Sequence, residues 1–315
     1  MSTIEKNAPT LKSKLNKAEI KRQSVLLIIA GLYVIYGIIF YYLPLFGWIM
    51  AFQNYKLKDG FFGSEFVGLK WFKFLFEDKT FIRILRNTLA MGVINLVATT
   101  VTAIGFAILL SEVRNMMGKK IVQTISYLPH FLSMIILTGI VFDVLSMENG
   151  MLNNFLIGIG VIDKPIQWLA ESKYFWWIVG FANRWKETGW DSIIYLAAIT
   201  SINPDLYEAA SIDGAGRLSR IWHITLPGLK PTILILLIMN VGNVLNVGFE
   251  LQYLLGNDLV KSVAETIDIY VLNYGISKSN YSLGVAAGIF KSVVSIILVF
   301  IANTSAKAMG EESLY

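Results

Sequence analysis

Residues 24–46 read SVLLIIAGLYVIYGIIFYYLPLF, 23 positions without a single charge. A helix needs about 20 mostly apolar residues to cross roughly 30 Å of hydrocarbon, so this run fixes the solvent in which the chain folds. The pattern recurs. Residues 87–110, 121–142 and 231–249 are also uncharged, and 283–302 holds one charge, Lys291. A sixth run, 175–199, is interrupted by Arg184, Lys186, Glu187 and Asp191. Backbone amides in lipid must find partners within the chain, which leaves helices as the spanning element for such runs. The expectation is an all-α polytopic membrane protein with about six transmembrane helices. Hydrophobic residues make up 55% of the chain and charged ones 16%, against about a quarter charged in water-soluble domains.

Residues 1–23 carry six Lys or Arg and precede a run too long for the apolar core of a cleaved signal peptide. They read as a cytoplasmic tail before an uncleaved first span, 24–46. An extracytoplasmic loop, 47–86, a core domain, 87–302, and a second cytoplasmic tail, 303–315, follow. The Lys/Arg bias of the shorter loops favours both ends inside, while the 47–86 loop holds seven Lys or Arg and pulls the other way. The basic residues sit in tails and between apolar runs, not in a stripe interleaved with aromatics, so the net charge of +5 carries no nucleic-acid signal. Zero cysteines and two histidines, His130 and His223, remove thiolate zinc sites, disulfides and Cys nucleophiles. No catalytic residue, metal site or cofactor is expected.

The segment 201–228 is too polar to cross a bilayer. Asn203 can cap a helix that has Pro204 at its first position and Asp205 in its first turn. Leu206, Tyr207, Ala210 and Ile212 give it a short apolar face. Asp213-Gly214 signals a turn. A second short helix, from Ala215 to about Ile224, then presents Leu218, Ile221, Trp222 and Thr225 at helical spacing. Leu226-Pro227 is expected to stop it and Pro231 to open the next span. Apolar side chains of this size on a polar elbow call for a partner surface. An ordinary interfacial amphipathic helix is the alternative.

Glu208-Ala209-Ala210, three residues, Gly214, nine residues, Ile224, one residue, Leu226-Pro227 resembles the EAA loop of permease subunits in binding-protein-dependent ABC importers, without gap or substitution. Trp185-Lys186-Glu187-Thr188-Gly189-Trp190, Phe66-Val67-Gly68-Leu69 and Asn87-Thr88-Leu89 are similar to the maltose-permease-like carbohydrate class. The stretch Val241–Glu250 resembles its polysaccharide- or oligosaccharide-uptake branch. The resemblance implies the type I permease fold in a bacterial plasma (inner) membrane. It also implies a second permease, related and not identical, a dimer of ATPase subunits, an extracytoplasmic solute-binding protein and a carbohydrate substrate. Within it, Glu208 supplies a charged contact to the ATPase, Ala209 and Ala210 permit close packing, and Asp213-Gly214 makes the bend. Ile224, Leu226 and Pro227 complete the motif. The chain holds no G-x-x-x-x-G-K-[ST] phosphate loop, and Gly118-Lys119-Lys120 is a lone glycine before two lysines, so ATP would bind another chain.

Polar groups in the fourth and fifth spans mark a pathway or hold helices together. At about 100° per residue, Asn183, Arg184, Glu187, Trp190 and Asp191 share one arc, with Lys186 outside it. Intramembrane charges face a bundle interior or a water-filled cavity, and an Arg184–Glu187 pair is the structural alternative. In the fifth span Asn240, Asn243, Asn246 and Glu250 share an arc of similar width. Asparagines suit a hydroxyl-rich ligand and serve equally as interhelical glue. Phe249, Tyr253, Trp185 and Trp190 are candidate stacking partners for sugar rings. The histidines read as a helix-bend residue, His130, and a polar position of the elbow, His223. Trp71, Phe72, Phe74, Leu75 and Phe76 suggest an interfacial helix, and Lys291 a pathway, snorkelling or interhelical-pair residue. A second class of function stays open, an ion-coupled secondary transporter using Glu187, Asp191 or Glu250. A membrane-embedded enzyme would need a constellation that the histidine and cysteine poverty argues against.

Overall fold

The computed structural model describes residues 22–308, so most of the basic tail, 1–23, and the end of the 303–315 tail lie outside the described residues. Helix α1, Ser24–Phe52, passes through a π-helical turn at Ile38–Tyr42 into 3-10 turns from Leu43 onward. A two-residue antiparallel pair follows, β1 Gln53–Asn54 with β2 Glu65–Phe66, in the register Gln53 to Phe66 and Asn54 to Glu65. Then come α2, Lys70–Glu77, and α3, Lys79–Ser111. The pair α4, Met116–Phe131, and α5, Met134–Leu145, is bent by 103°. After α6, Met151–Gly158, the long α7 covers Ser172–Thr200. The elbow begins with α8, Pro204–Ile212, and continues into α9, Arg217–Gly242. Short helices α10, Phe249–Leu255, and α11, Ile267–Tyr270, lead to the last helix, α12, Tyr281–Ala308.

The all-helical polytopic expectation is borne out. Four helices, α1, α3, α9 and α12, are each long and apolar enough to cross a membrane, and the bent α4–α5 pair makes a fifth. The charged α7 has 29 residues, ample length for a span. Start positions follow local capping chemistry. Asp78 accepts from the Thr80 amide at 2.8 Å, so α3 starts at Lys79 and not at Asn87. Asn115 caps α4 through the amides of Met117 and Gly118. Ser133 accepts from the Ile136 amide and starts α5 afresh, which is why the expected span 121–142 is two helices.

Three apolar clusters are strung along α3. Phe81 and Ile84 pack with Ala51, Leu75, Tyr270 and Leu283 at its start. Met91 packs in its middle with Leu137, Val179, Val247 and Leu251, and Ala103 and Ala107 with Tyr195, Ile199 and Leu229 near its end. Asn87 and Thr88 are fully buried and polar. Their side chains meet the backbone of the segment before α11: Asn87 donates to the Ser262 and Glu265 carbonyls, and Thr88 accepts from the Ile267 amide. Beside them the Tyr270 hydroxyl donates to Asp78 at 3.4 Å, and burial plus that carboxylate raise its pKa above the usual phenol range.

Three expectations change in detail, and of the roles open to Lys291 the interhelical pair is the one found. The aromatic segment 71–76 is half core: Leu75 is buried, Trp71 and Phe72 pack against the first cluster, and Phe74 and Phe76 stay exposed. The last helix continues past residue 302 to Ala308, inside the expected tail. Neither Pro227 nor Pro231 breaks α9. Pro227 sits in the first turn of its regular α portion, where a proline needs no donor, after a wider turn at Ile221–Thr225. Lys291 pairs with Asp268 at 2.6 Å, joining α12 to α11.

Candidate functional site

The elbow is built as two arms strapped together. Asn203 accepts from the Asp205 amide at 3.0 Å and starts α8. The chain reverses at Gly214, whose φ of +78° is a left-handed conformation that side chains with a Cβ avoid. Backbone bonds from Asp213 to Ala209 and from Ala215 to Ala210 close the turn. The Tyr207 hydroxyl and Thr225 lie 3.0 Å apart, and Arg220 donates to Ser211 at 2.9 Å, so the second arm is tied back onto the first. Leu229, fully buried among Ala103, Ala107, Tyr195 and Ile199, roots the elbow in the bundle. Large apolar side chains stand out from it among polar ones: Leu206 is 52% exposed, Ile212 87%, Leu218 82% and Trp222 69%. Glu208, Ala209 and Asp213 are exposed, Ala210 is half-buried beside them, and Ile224 and Leu226 are half-buried at the root, with Pro227 exposed.

The fifth span does not carry its asparagines on one helical arc. Helix α9 ends at Gly242, Asn243 is its C-cap, and no helix resumes until Phe249. The break nonetheless gathers the polar residues. Asn240, Asn243 and Asn246 line a cavity of about 220 Å³ together with Asn183 and Arg184 of α7 and Gly92, Asn95 and Thr99 of α3. Asn246 donates to the Asn243 side chain at 3.0 Å, and Asn243 to the Met239 carbonyl at 3.2 Å. The freed Val247 carbonyl accepts from the buried Gln252 at 2.7 Å. The Val244 carbonyl lies where a Cβ on Gly92 would be, 2.0 Å away, so only a glycine lets the break settle on α3. Irregular backbone at membrane depth is tolerated where it is enclosed by protein or lines an aqueous cavity. Glu250 lies on the exposed face of α10, outside this lining, and Phe249 stacks on Tyr253 with centroids 5.2 Å apart.

Lys186, Glu187 and Trp190 of α7 face the bend between α4 and α5. Lys186, expected outside the functional arc, is buried and donates to the His130 carbonyl at 2.6 Å and to Glu187 at 2.8 Å. Glu187 also meets the His130 ring at 2.6 Å, and that ring stacks on Trp190 with centroids 4.2 Å apart and planes 2° from parallel. The alternative Arg184–Glu187 pair does not form: Glu187 is drawn to the bend, and Arg184 pairs with Asp191 at 3.0 Å. Trp190 stays 42% exposed beside the exposed Phe131, whereas Trp185 lines an apolar groove with Trp177 and Phe181. Asn95 and Thr99 were not singled out from the sequence, although two polar side chains four apart in an uncharged span were the available signal.

An all-helical membrane bundle with a strapped polar elbow and a polar cavity at a broken helix is the form of a transport permease. The description "Binding-protein-dependent transport system inner membrane component" matches residues 99–310. The chain belongs to that family. It is similar over all of its length, and all of the relative's, to the "Polygalacturonan/rhamnogalacturonan transport system permease protein YteP" of Bacillus subtilis (strain 168), at 41% identity. A solved structure described as "a bacterial ABC transporter involved in the import of the acidic polysaccharide alginate" holds a chain 38% identical, with TM-score 0.84, over 92% of this chain and 98% of that one. A second, of the "bacterial alginate ABC transporter in complex with alginate pentasaccharide-bound periplasmic protein", gives TM-score 0.86 at 38% identity, over 94% and 99%. The protein is thus a multi-pass inner-membrane permease of an ABC importer that works with a binding protein. The ATP site of such a system lies on its partner ATPase.

Proposed function

We propose that the chain forms, with a second and related permease, the membrane pathway for oligosaccharides or polysaccharide fragments delivered by an external binding protein. Its elbow, 201–228 within the core domain 87–302, couples that pathway to a dimer of ATPase subunits. The tails 1–23 and 303–315 then lie on the cytoplasmic side, and the 47–86 loop faces the binding protein. Relatives named for polygalacturonan, rhamnogalacturonan and alginate support the carbohydrate reading. The observation that carries the coupling reading is the elbow itself, with Leu206, Ile212, Leu218 and Trp222 held outward on a strapped turn. Glu208 and Asp213 give these apolar side chains a charged rim, and Ala209 and Ala210 let the elbow approach a cleft closely. An ATPase that grips the elbow differently in its two states can switch the bundle between inward and outward access. Asn183, Asn240, Asn243 and Asn246 are assigned to the pathway, with Glu250 at its margin, whereas Glu187 and Trp190, expected there from the sequence, are assigned to the bend.

The test is co-purification of the tagged chain from native membranes, with ATP hydrolysis measured beside Glu208→Ala and Gly214→Pro. Proline cannot adopt the φ of +78° at residue 214, so Gly214→Pro is expected to lose the ATPase. Glu208→Ala removes one charged contact, about 1.5–3 kcal/mol, and is expected to weaken coupling roughly tenfold or more. Equal ATPase recovery and hydrolysis in all three proteins would overturn the coupling role. Uptake that survives ATP depletion and collapses with the ion gradient would replace the whole reading by secondary transport.

A further inference from the structure

We infer that the apolar groove between α5, α6 and α7 is a binding site for one membrane phospholipid, with an acyl chain in the groove and the phosphate at Lys173. Trp177, Phe181 and Trp185 recur every four residues along α7 and form one wall. At about 100° per residue Asn183 lies about 160° from Phe181 and from Trp185, so this wall is turned away from the polar cavity at the break of α9. Ile140 and Val144 of α5 and Leu152 of α6 line the groove opposite this helix. The space measures about 570 Å³, and among the described residues no charged side chain, no amide or imidazole side chain and no serine or threonine lines it.

Acyl chains touch every outward face of a membrane bundle, so a site needs form as well as apolarity. One end of this groove is fixed from within. Asn153 of α6 is buried; it donates to the Ser146 and Ile166 carbonyls and accepts from the Ile166 amide and the Trp168 indole, at 2.9–3.1 Å. An amide with all four of its bonds made gives a wall that exists before any ligand arrives. It holds Trp168 beside Tyr174, ring centroids 4.9 Å apart, at the Ser172 end of α7.

Depth is the second constraint. From Tyr174 to Trp185 the groove follows α7 for about 16 Å, half of the roughly 30 Å hydrocarbon core. Lys186 lies at the midpoint of α7, and the far end of α7 runs into the elbow, so the groove occupies the leaflet opposite the elbow and stops there. A transmembrane helix of another subunit needs a seat through both leaflets, whereas an acyl chain reaches across one. Charge is the third constraint. Lys173 is exposed, its ammonium lies 4.7 Å from the centre of the Tyr174 ring, and among the described residues it makes no ion pair. A cation at the aromatic end of an apolar groove matches a phosphate at the end of an acyl chain, the level at which lysine and tyrosine meet headgroups.

The test uses the full importer in nanodiscs of phosphatidylglycerol with a trace of the same lipid carrying a diazirine in its acyl chain. Exchange into detergent before illumination strips boundary lipid and leaves what the groove retains. Covalent label is expected within residues 137–152 and 168–185. Val144→Trp puts an indole into the groove and is expected to lower that label about tenfold, because a packed space admits no second occupant. Trp177→Ala removes an exposed part of the wall and is expected to lower it about threefold through lost dispersion contacts. It serves where Val144→Trp does not assemble. Lys173→Gln is expected to lower the label about twofold to fivefold, the size of an exposed charge contact. No label after exchange would make the lipid ordinary boundary lipid, and label unchanged in both groove variants would put it elsewhere; either result overturns the inference. An unlabelled wild-type groove, with the second permease lost from Val144→Trp, would assign the groove to a protein helix and overturn it as well. Unchanged label in Lys173→Gln would overturn the phosphate contact.

Discussion

Between α4 and α5 the chain turns by 103°, and beyond α9 it leaves the helix at Gly242 and resumes one only at Phe249. Both interruptions expose backbone groups that lipid cannot satisfy, and both are bedded on a glycine of a neighbouring helix. A Cβ on Gly189 would meet the Ser126 carbonyl at 2.1 Å, as one on Gly92 would meet the Val244 carbonyl at 2.0 Å. They are completed differently. The bend draws long charged side chains from α7, with Lys186 on the His130 carbonyl and Glu187 between Lys186 and the His130 ring. The break is met by its own short amides and by Gln252, and an open polar space remains beside it. An interruption whose polar groups are consumed internally is a fixture. One that keeps donors and acceptors facing a cavity is equipped to bind.

The largest expected effect is at the fixture. Lys186→Met leaves the His130 carbonyl without its donor and Glu187 with one partner. Removing one member of a buried pair costs about 3–5 kcal/mol, here reduced to about 2–3 because Glu187 keeps His130 and 22% side-chain exposure. Thermal unfolding in detergent should show a midpoint several degrees lower, and an unchanged midpoint would mean that Lys186 does not hold the bend. Gly92→Ala comes next. Its new methyl must displace the Val244 carbonyl, an overpacking cost of about 1–3 kcal/mol. Gly189→Ala carries the same clash at the bend. The two should cost similar stability, but only Gly92→Ala should also raise the KM for the transported sugar. Equal shifts in KM would erase the distinction between binding break and structural bend.

The spans, the elbow and its cap were legible because each rests on local rules: apolar run length, Asn203 before Pro204, a glycine where the chain must reverse. The sequence put Asn183 on one helical arc and Asn240, Asn243 and Asn246 on another, the second on a continuous helix that does not exist. Helical spacing cannot show that α9 stops at Gly242, because the reason lies on α3, where Gly92 admits the Val244 carbonyl. Lys186 was set aside for the same reason. Its angle on α7 places it away from Asn183 and Glu187, and its partner is a backbone carbonyl 56 residues earlier that appears only once the third span bends. Asn87 and Thr88 carried part of the family resemblance, and their physical role was hidden likewise: they hold the backbone of residues 262–267, more than 170 positions away. Interactions that fix a membrane bundle are long-range and polar, while the sequence signal of a span is local and apolar.

The smallest structural effect, and the sharpest discrimination, belongs to Asn246→Ala. Asn246 is exposed, and its amide makes one side-chain bond, to Asn243 at 3.0 Å. Losing a bond of this kind changes stability by about 0.5–1 kcal/mol, so the unfolding midpoint should move by about 1–4 °C at most. If the break is a sugar site, the same substitution should raise the KM for the oligosaccharide about threefold to tenfold and leave ATP hydrolysis without sugar unchanged. Glu250→Gln provides the counterpart, since Glu250 is exposed and lies outside the cavity lining. An ion-coupled carrier using Glu250 would lose uptake in that variant and keep it in Asn246→Ala. A permease driven by an ATPase would show the reverse order, because its energy enters through the elbow and its ligand meets the asparagines.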